Sequence, residues 1–486
     1  MGKINTVAII GGGVSGLSAG GLLSRKGLRV KLFEANDKLG GSCANTEIDG
    51  YTFHDGALYL AFPGLLEHVF ERLGLDRPSL LPLRKIIANQ RTTLPDGTVV
   101  SFGNEFGVTI TGNKGRMRNI QLQKELEEML KKWEPVFRLF ADDILLHPFS
   151  LSRLVAKGWH HLPKLHGCVA SEINHLFSDE AVQAAMSGAL LFSGIPPQRM
   201  PVQSILGLVA MFTEGFYLPE GGMGKIPEAL SQSLKNNGGE ILLNSTINRI
   251  VPKNGRVHGL KVDGQGLVEV DAVISTVSGM LTYGSLLNQE EVPNWMKRKV
   301  QGAPLSHKSL VIQLGLSNVV DVRSHSNNIL PWMDEQYKMF MSDGDEVKWP
   351  VYSVPTVTIP ELSPRGGSII EMFPRIKQDM PADDWNDQKK ERILESAIKA
   401  LSSIRDIDIA VKRVRCPKDF QDRMHLYKGA TYGLSPAASP KAQFQHVSPI
   451  RGLYQAGQTT YPGFGVSPAA MSGILAAETL MRTAKL

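Results

Sequence analysis

A glycine-rich loop between a strand and a helix is the sequence feature that most limits how this chain can fold. The run Gly11-Gly-Gly-Val-Ser-Gly16 has the GxGxxG spacing. It follows an apolar segment, 6–10, that predicts a buried parallel strand, and it opens a helix predicted over 14–25. In such loops the three glycines permit the tight turn, the close approach of a pyrophosphate and the packing of helix on strand. We therefore predict a nucleotide phosphate site at Gly11, Gly13, Val14, Ser15 and Gly16.

An acidic residue at the end of the next strand is the second part of this signal. The segment 29–33 predicts a strand, and Glu34 and Ala35 follow it. A carboxylate roughly 20 residues after such a loop binds the ribose hydroxyls in dinucleotide folds. Glu34 could also be a solvated charge, but the upstream loop favours ribose binding. The βαβ unit predicts an α/β fold with a Rossmann-type parallel sheet.

Length and composition limit the classes of protein to which the chain can belong. A chain of 486 residues, 42% hydrophobic and 21% charged, predicts a folded protein of two closely connected domains. The net charge of +6 comes without a basic block interleaved with aromatic residues, so nucleic acid is not an expected partner. Cys43, Cys168 and Cys416 are widely spaced and predict neither a metal site nor a disulfide framework. We expect a reducing, cytoplasmic location, and the longest apolar run, near 205–212, is too short to span a bilayer.

A second pair of glycines extends the nucleotide motif. Gly40 and Gly41, followed by Ser42, lie shortly after Glu34. A glycine pair lets the backbone pass close to another part of a cofactor. The pair alone would indicate only a turn, but together with the strand and Glu34 it favours FAD over NAD.

These amino-terminal motifs resemble the FAD-binding start of the amine oxidase and phytoene desaturase superfamily. Many members have arginine after the glycine pair, whereas Ser42 is similar to the carotenoid isomerase and retinol saturase branch. Further segments similar to that branch span nearly the whole chain, at 217–230, 244–250, 429–434, 453–458 and 462–467. By this resemblance FAD is the cofactor, Ile247 meets its adenine, Gly457 lies by its pyrophosphate, and Gln458, Gly465 and Val466 clamp its flavin.

The resemblance also implies a domain arrangement. It predicts a discontinuous, GR2-like Rossmann-type FAD-binding domain into which a mixed α/β substrate domain is inserted. We assign residues 1–85, 226–290 and 426–486 to the FAD-binding domain. Residues 86–225 and 291–425 are assigned to the substrate domain, part of which is expected to be largely helical.

The activity implied by the resemblance is that of an FAD-dependent oxidoreductase. It would desaturate, saturate or isomerise carbon–carbon bonds of an apolar polyene or isoprenoid by hydride exchange with flavin N5. The alternatives are a natural-product oxidoreductase that closes rings on a polyene, a flavin amine oxidase, and an escort protein whose flavin is structural. Amine oxidases usually carry an acidic residue where Gln458 stands. No second GxGxxG is present, so the electron acceptor stays open among oxygen, a quinone, another soluble acceptor and the substrate itself.

The segment Tyr51-Thr-Phe-His-Asp-Gly56 contains the candidate catalytic residues. Phytoene desaturases usually have aspartate where His54 stands. Two interpretations are open for His54 and Asp55. They could face the flavin as acid and base groups, or they could form a structural pair that fixes the turn.

An acid-free segment at 144–171 is the candidate for membrane contact. It carries Arg153, Lys157 and Lys164. Its apolar residues at helical spacing are Leu151, Leu154, Val155, Trp159 and Leu162. One interpretation is peripheral membrane contact that admits a lipid substrate. The other is an ordinary helix packed on the substrate domain.

Overall fold

The computed structural model describes residues 4–103, 107–111 and 115–486. The α-helices of these residues, numbered in chain order, are α1 (Val14–Arg25), α2 (Pro63–Leu73), α3 (Arg77–Leu80), α4 (Gly115–Asp142), α5 (Leu151–Gly158), α6 (Val169–Leu176), α7 (Glu180–Ala189), α8 (Leu206–Thr213), α9 (Lys225–Asn236), α10 (Gly279–Gly284), α11 (Asn294–Gln301), α12 (Asp387–Ser402), α13 (Pro417–Met424) and α14 (Val466–Ala484).

The strands of the described residues are β1 (Thr6–Ile10), β2 (Arg29–Phe33), β3 (Asn45–Ile48), β4 (Tyr51–His54), β5 (Leu83–Lys85), β6 (Gln90–Thr93), β7 (Val99–Gly103), β8 (Gly107–Thr111), β9 (Tyr217–Pro219), β10 (Glu240–Leu242), β11 (Ile247–Lys253), β12 (Arg256–Val262), β13 (Gly266–Glu269), β14 (Ala272–Ser275), β15 (Val311–Leu316), β16 (Ser326–Ile329), β17 (Val351–Ser353), β18 (Ser368–Met372), β19 (Ile409–Arg415) and β20 (Leu453–Gln455).

The glycine-rich loop belongs to a parallel sheet of five strands in the order β10-β2-β1-β14-β20. The apolar run of β1 is buried because helices cover both faces of such a sheet. Helix α1 is buried along nearly its whole length between α9 and α14. The predicted βαβ unit is confirmed, and the carboxyl ends of all five strands meet at one edge of the sheet.

The apolar residues from 267 to 274 do not form one continuous strand, because the structure divides them between two sheets. Strand β13 completes an antiparallel meander with β11 and β12, whereas β14 enters the parallel sheet beside β1. The break falls at Asp271, whose Oδ2 accepts hydrogen bonds of 2.9 Å from the backbone N–H groups of Asn5 and Thr6. These bonds tie Asp271 to the start of β1, so that the residues after it join the parallel sheet as β14.

A second, mixed sheet has eight strands in the order β19-β15-β18-β17-β16-β6-β7-β8. Its pairs are antiparallel except for β16 with β6. Helices α4, α6, α7 and α8 share an apolar core with β7 and β8. Strands of this sheet and of the parallel sheet alternate along the chain. The ends of the two domains stay a prediction.

Candidate functional site

The carboxyl edge of the parallel sheet brings the glycine-rich loop and the predicted ribose carboxylate together. The N–H of Gly12 donates to Oε2 of buried Glu34 at 2.7 Å. Oε1 of Glu34 accepts from the backbone and side-chain N–H groups of Asn36 at 2.9 and 2.8 Å. Half-buried Ala35 lies between these two residues. The carboxylate is thereby held in a fixed orientation at the end of β2.

The glycines of the loop have different surroundings, and these test whether a phosphate group fits. A Cβ atom at Gly16 would lie 1.9 Å from the carbonyl oxygen of Gly11, so Gly16 serves helix–strand packing. A Cβ atom at Gly13 would meet only the oxygen of Gly40, at 3.9 Å, and one at Gly41 only Cα of Gly13, at 3.8 Å. Bare backbone from both glycine loops therefore borders open space beside a helix N-terminus, which is the cradle that a pyrophosphate requires.

The carboxyl-terminal motif packs directly on this loop. Gly457 has φ +97°, and a Cβ atom there would lie 2.8 Å from the oxygen of Thr276. Helix α14 crosses α1 so closely that a Cβ atom at Gly473 would lie 2.0 Å from the oxygen of Ser15. The hydroxyl of Ser15 also donates to the carbonyl of Ala469. Residues 11–16 and 457–473 thus form one surface although they lie at opposite ends of the chain.

The remaining predicted cofactor residues lie on either side of that surface. Gly465, with φ +98°, precedes α14, and half-buried Val466 is the first residue of the helix. Half-buried Gln458 lies beside Gly433. A Cβ atom added at Gly433 would be 3.5 Å from Nε2 of Gln458. The carbonyl of Ser42 accepts from the N–H of residue 57 at 2.8 Å, which joins the second glycine loop to the turn after β4.

The segment after β10 contains Ile247, the residue that the resemblance predicts to meet adenine. The N–H of Ser245 donates to the carbonyl of Glu34 at 2.8 Å, and buried Ile247 begins β11 two residues later. Ile247 therefore lies close to the Glu34 end of the glycine-rich loop. The role of each residue stays a prediction.

His54 belongs to a buried pair that the sequence did not reveal. Its Nδ1 lies 3.2 Å from Oε2 of Glu371, and its backbone N–H donates to Oε1 at 2.8 Å. The amide of Gln313 donates to the carbonyl of His54 at 2.7 Å. Nε2 of His54 is buried and has no hydrogen-bond partner among the described residues. Polar residues inside the otherwise apolar strands β15 and β18 were the signal that could have found Glu371 and Gln313.

Asp55 lies in a buried ion-pair network. Nη1 of Arg415 donates to both Oδ1 and the backbone carbonyl of Asp55 at 2.7 Å. Nζ of Lys38 lies 3.2 Å from Oδ2, Nη1 of Arg413 lies 3.4 Å from Oδ1, and the hydroxyl of Thr46 donates to Oδ1 at 2.8 Å. Burial lowers the pKa of Arg415 to about 10. Four side chains engage this carboxylate, which favours the interpretation that Asp55 fixes the turn.

An aromatic cluster lies between the turn after β4 and the start of α14, and sequence reasoning missed it. Its members are Tyr59, Phe192, Phe216, His307, Tyr432 and Phe464. The ring centroids of Tyr59 and Phe216 are 4.5 Å apart in a stacked pair, as are those of Tyr432 and Phe464. His307 meets Tyr432 edge-on at 5.2 Å. Phe464 precedes Gly465, so the cluster borders the predicted flavin end of the cofactor site.

Three basic groups beside these rings have pKa values lowered by burial. Burial lowers the pKa of His307 to about 3, with a smaller effect from Arg375, and lowers that of His325 to about 3. Both histidines are therefore neutral at pH 7. The pKa of Arg375 falls to about 10, so its guanidinium, with Cζ 4.8 Å from the ring centroid of Phe192, keeps its charge. These three residues lie in separate segments between positions 307 and 375 and carry no local sequence signal.

The two buried histidines predict acid-sensitive stability. Each has a folded-state pKa well below its unfolded value of about 6.5, so the unfolded chain binds more protons between pH 6.5 and 3. We expect the free energy of unfolding to fall by roughly 2 kcal/mol per histidine between pH 7 and 5. Urea unfolding at both pH values measures this. His325→Asn should lose about half of this histidine-linked dependence, whereas His166→Asn, at an exposed position, should keep it. An unchanged dependence in His325→Asn would contradict the assignment.

Comparison with known proteins agrees with this geometry. A protein-family model described as flavin containing amine oxidoreductase matches residues 14–481. The chain is 25% identical to a zeta-carotene-forming phytoene desaturase of Myxococcus xanthus, over 98% of this chain and 93% of that protein. It is 24% identical to a 4,4'-diapophytoene desaturase (4,4'-diaponeurosporene-forming) of Staphylococcus haemolyticus, over 98% of each chain.

A solved structure shares the fold. An oxidoreductase from Methanosarcina mazei superimposes with a TM-score of 0.66 at 16% sequence identity, over 97% of this chain and 100% of that one. The likeness extends over both sheets, because nearly every residue of each chain takes part in the superposition.

Proposed function

The chain belongs to the family of flavin-containing amine oxidoreductases, and from this premise we propose that it oxidises, reduces or isomerises carbon–carbon bonds of an apolar polyene or isoprenoid. The protein is an FAD-dependent oxidoreductase, as the sequence predicted. Its curated relatives are named as desaturases of phytoene and of diapophytoene. The substrate of this chain, its electron acceptor and any membrane contact are parts of the proposal.

The observation that carries the proposal is the aromatic cluster at the flavin end of the predicted cofactor site. Stacked rings offer apolar faces that a flat conjugated chain can cover. Burial of such a chain contributes roughly 0.8 kcal/mol per CH₂ group, so apolar walls alone can supply the binding energy. When bound, FAD supplies the two-electron acceptor or donor. The residues of this chain position the substrate and keep water from the reacting carbons.

The charge beside the cluster argues against the amine oxidase alternative. Arg375 is cationic at neutral pH, and the neighbouring His307 is neutral because burial lowers its pKa to about 3. No described carboxylate forms an ion pair with Arg375. A protonated amine in this place would face a buried like charge without compensation, which is unfavourable in a low-dielectric site.

An anaerobic reduction experiment tests the proposed function. We expect phytoene or a related polyene, delivered in detergent micelles, to change the absorbance of the bound flavin or, for the reduced enzyme, to reoxidise it. Putrescine and benzylamine should leave the oxidised spectrum unchanged. NADH and NADPH should not bleach the flavin rapidly, because the sequence holds no second GxGxxG.

The outcomes separate the competing classes. Rapid bleaching by an amine would replace the proposal with an amine oxidase. Rapid bleaching by a reduced pyridine nucleotide would contradict the single-nucleotide interpretation. A flavin that no polyene perturbs in either redox state would overturn the polyene proposal.

Peripheral membrane contact through α5 is the second part of the proposal. Leu151, Val155 and Trp159 follow one another at i, i+4 and i+8, and their exposed fractions are 64%, 45% and 66%. A row of exposed apolar side chains fits a lipid surface better than the interior packing that was the alternative. Leu154 and Leu162, which belonged to the predicted apolar face, are half-buried.

Two of the three cations of this segment are paired with an acid outside it. Arg153 and Lys157 both form ion pairs with Asp143, which lies just before the acid-free segment. Beside them, half-exposed Phe149 packs on Tyr461 at a centroid distance of 5.6 Å, four residues before Gly465. The exposed row therefore adjoins the predicted flavin clamp. Among the described residues no helix has the length and apolarity that a bilayer crossing requires.

Liposome flotation measures the membrane contact. We expect the triple variant Leu151→Ser, Val155→Ser, Trp159→Ala to float several-fold less than wild type, because it loses the apolar anchor and keeps both ion pairs. The control removes three apolar side chains of comparable exposure elsewhere: Trp295→Ala, Val319→Ser and Met341→Ser. Wild type that never floats, or a control that falls as far as the triple variant, would contradict membrane entry at α5.

A further inference from the structure

Arg375 has two guanidinium nitrogens that form no hydrogen bond and no ion pair with the described residues. Its Nε and Nη2 atoms are shielded from solvent and form no hydrogen bond within the described part of the chain. The groups that interact with it electrostatically are the neutral hydroxyl groups of Tyr59 and Tyr432 and the neutral ring of His307. Arg375 as a whole is half-buried, but N–H donors that are shielded from solvent and unpaired are unfavourable, so a group outside the chain is expected to supply the missing acceptor.

The two unpaired atoms identify the chemistry of that acceptor. Nε and Nη2 lie on one edge of the guanidinium plane and point their N–H bonds in the same direction, which matches the two oxygens of a carboxylate. The same chain shows this arrangement at Arg118, whose Nε and Nη2 donate to the two oxygens of Asp179 at 2.6 and 2.8 Å. In Arg375 no described residue accepts a hydrogen bond from the corresponding edge.

The surroundings of this edge are apolar and aromatic. Phe192 packs against the guanidinium face, and Tyr59 and Tyr432 lie beside it. All three rings belong to the aromatic cluster at the flavin end of the predicted cofactor site. A molecule that satisfies both features has a conjugated or otherwise apolar body and a single anionic end.

We infer that Arg375 binds the carboxylate of a polyene acid in a two-point contact, while the aromatic cluster covers the chain behind it. The inference rests on the proposed function and specifies its substrate class as a polyene carboxylate rather than a hydrocarbon. Arg375 is a specificity-determining residue in this arrangement, because it contacts the end of the substrate and not the carbons that react.

Flavin absorbance titrations on the holoenzyme test the inference. The probes are three polyenes of one chain length that end in a carboxylate, a hydroxyl or a methyl group, such as all-trans-retinoate, retinol and the corresponding hydrocarbon. The variants are Arg375→Met, which keeps the length of the side chain, and Arg375→Lys, which keeps the charge but not the fork. Arg365→Met, at an exposed position, is the control.

We expect wild type and Arg365→Met to bind the carboxylate most tightly. Arg375→Met should weaken carboxylate binding roughly 30-fold or more and change hydrocarbon binding little, with Arg375→Lys in between. Equal affinities for the three polyenes, or a uniform effect of Arg375→Met, would overturn the inference and leave the proposed function standing. Loss of FAD from both Arg375 variants would also overturn it, by assigning the guanidinium to the cofactor. Failure of wild type to bind any of the three would reject the proposed function as well.

Discussion

Gly13→Asp should fold normally and be purified without its yellow cofactor. A side chain at this position meets only the oxygen of Gly40, at 3.9 Å, so the protein itself does not oppose the substitution. The new carboxylate would instead occupy the open space that we assign to the pyrophosphate. Repulsion between two charges 4 Å apart is about 4 kcal/mol near a protein surface, which lowers FAD affinity roughly a thousandfold.

The measurement is flavin stoichiometry from the absorbance of purified protein, together with circular dichroism to confirm folding. Gly255→Asp is the control for charge, since it adds the same carboxylate at the open β11–β12 turn, where nothing lies within 4 Å of the new Cβ atom. The φ of +70° at this position is one that aspartate adopts more readily than most residues. It should retain full flavin. Normal flavin content in Gly13→Asp would reject the phosphate site, whereas flavin loss in both variants would point to a general effect of charge.

Asp55→Asn should be among the most destabilising single substitutions in the chain. The side chain of Asp55 is 6% exposed and that of Arg415 only 4%. The amide would remove the carboxylate that pairs with buried Arg415 and would weaken the contacts of Arg413 and Lys38. Removal of one partner of such a pair costs about 3–5 kcal/mol, a large part of the usual 5–15 kcal/mol of total stability.

Urea unfolding at pH 7 measures this loss. Asp49→Asn lies in the exposed turn of the same β3–β4 hairpin and should change stability little, because asparagine accepts the positive φ of 49° there. The double variant Asp55→Asn, Arg415→Met should recover part of the loss, since it removes the uncompensated cation. A stable Asp55→Asn variant that has lost turnover would instead support the acid and base interpretation.

Local patterns were sufficient to predict the amino-terminal βαβ unit. An apolar run, three glycines at fixed spacing and a carboxylate after the next strand dictate β1, α1 and β2, since each depends on residues within a few positions of one another. The same is true of the glycines at 40 and 41, whose positive φ values follow from the absence of a side chain. The resemblance to the amine oxidase and phytoene desaturase superfamily added the prediction of FAD and of the family.

The contacts that distinguish the site join residues that are far apart in the sequence. Glu371 reaches His54 across 317 positions, and Arg415 reaches Asp55 across 360. Arg375 and the three rings beside it, Tyr59, Phe192 and Tyr432, come from four separate segments, so no spacing in the sequence predicts that they meet. Helical periodicity likewise placed Leu151, Val155 and Trp159 on one face but did not say whether that face is covered. The tertiary structure shows that this face is exposed. Periodicity indicates which side chains share a face of the helix, whereas packing determines whether another segment covers that face.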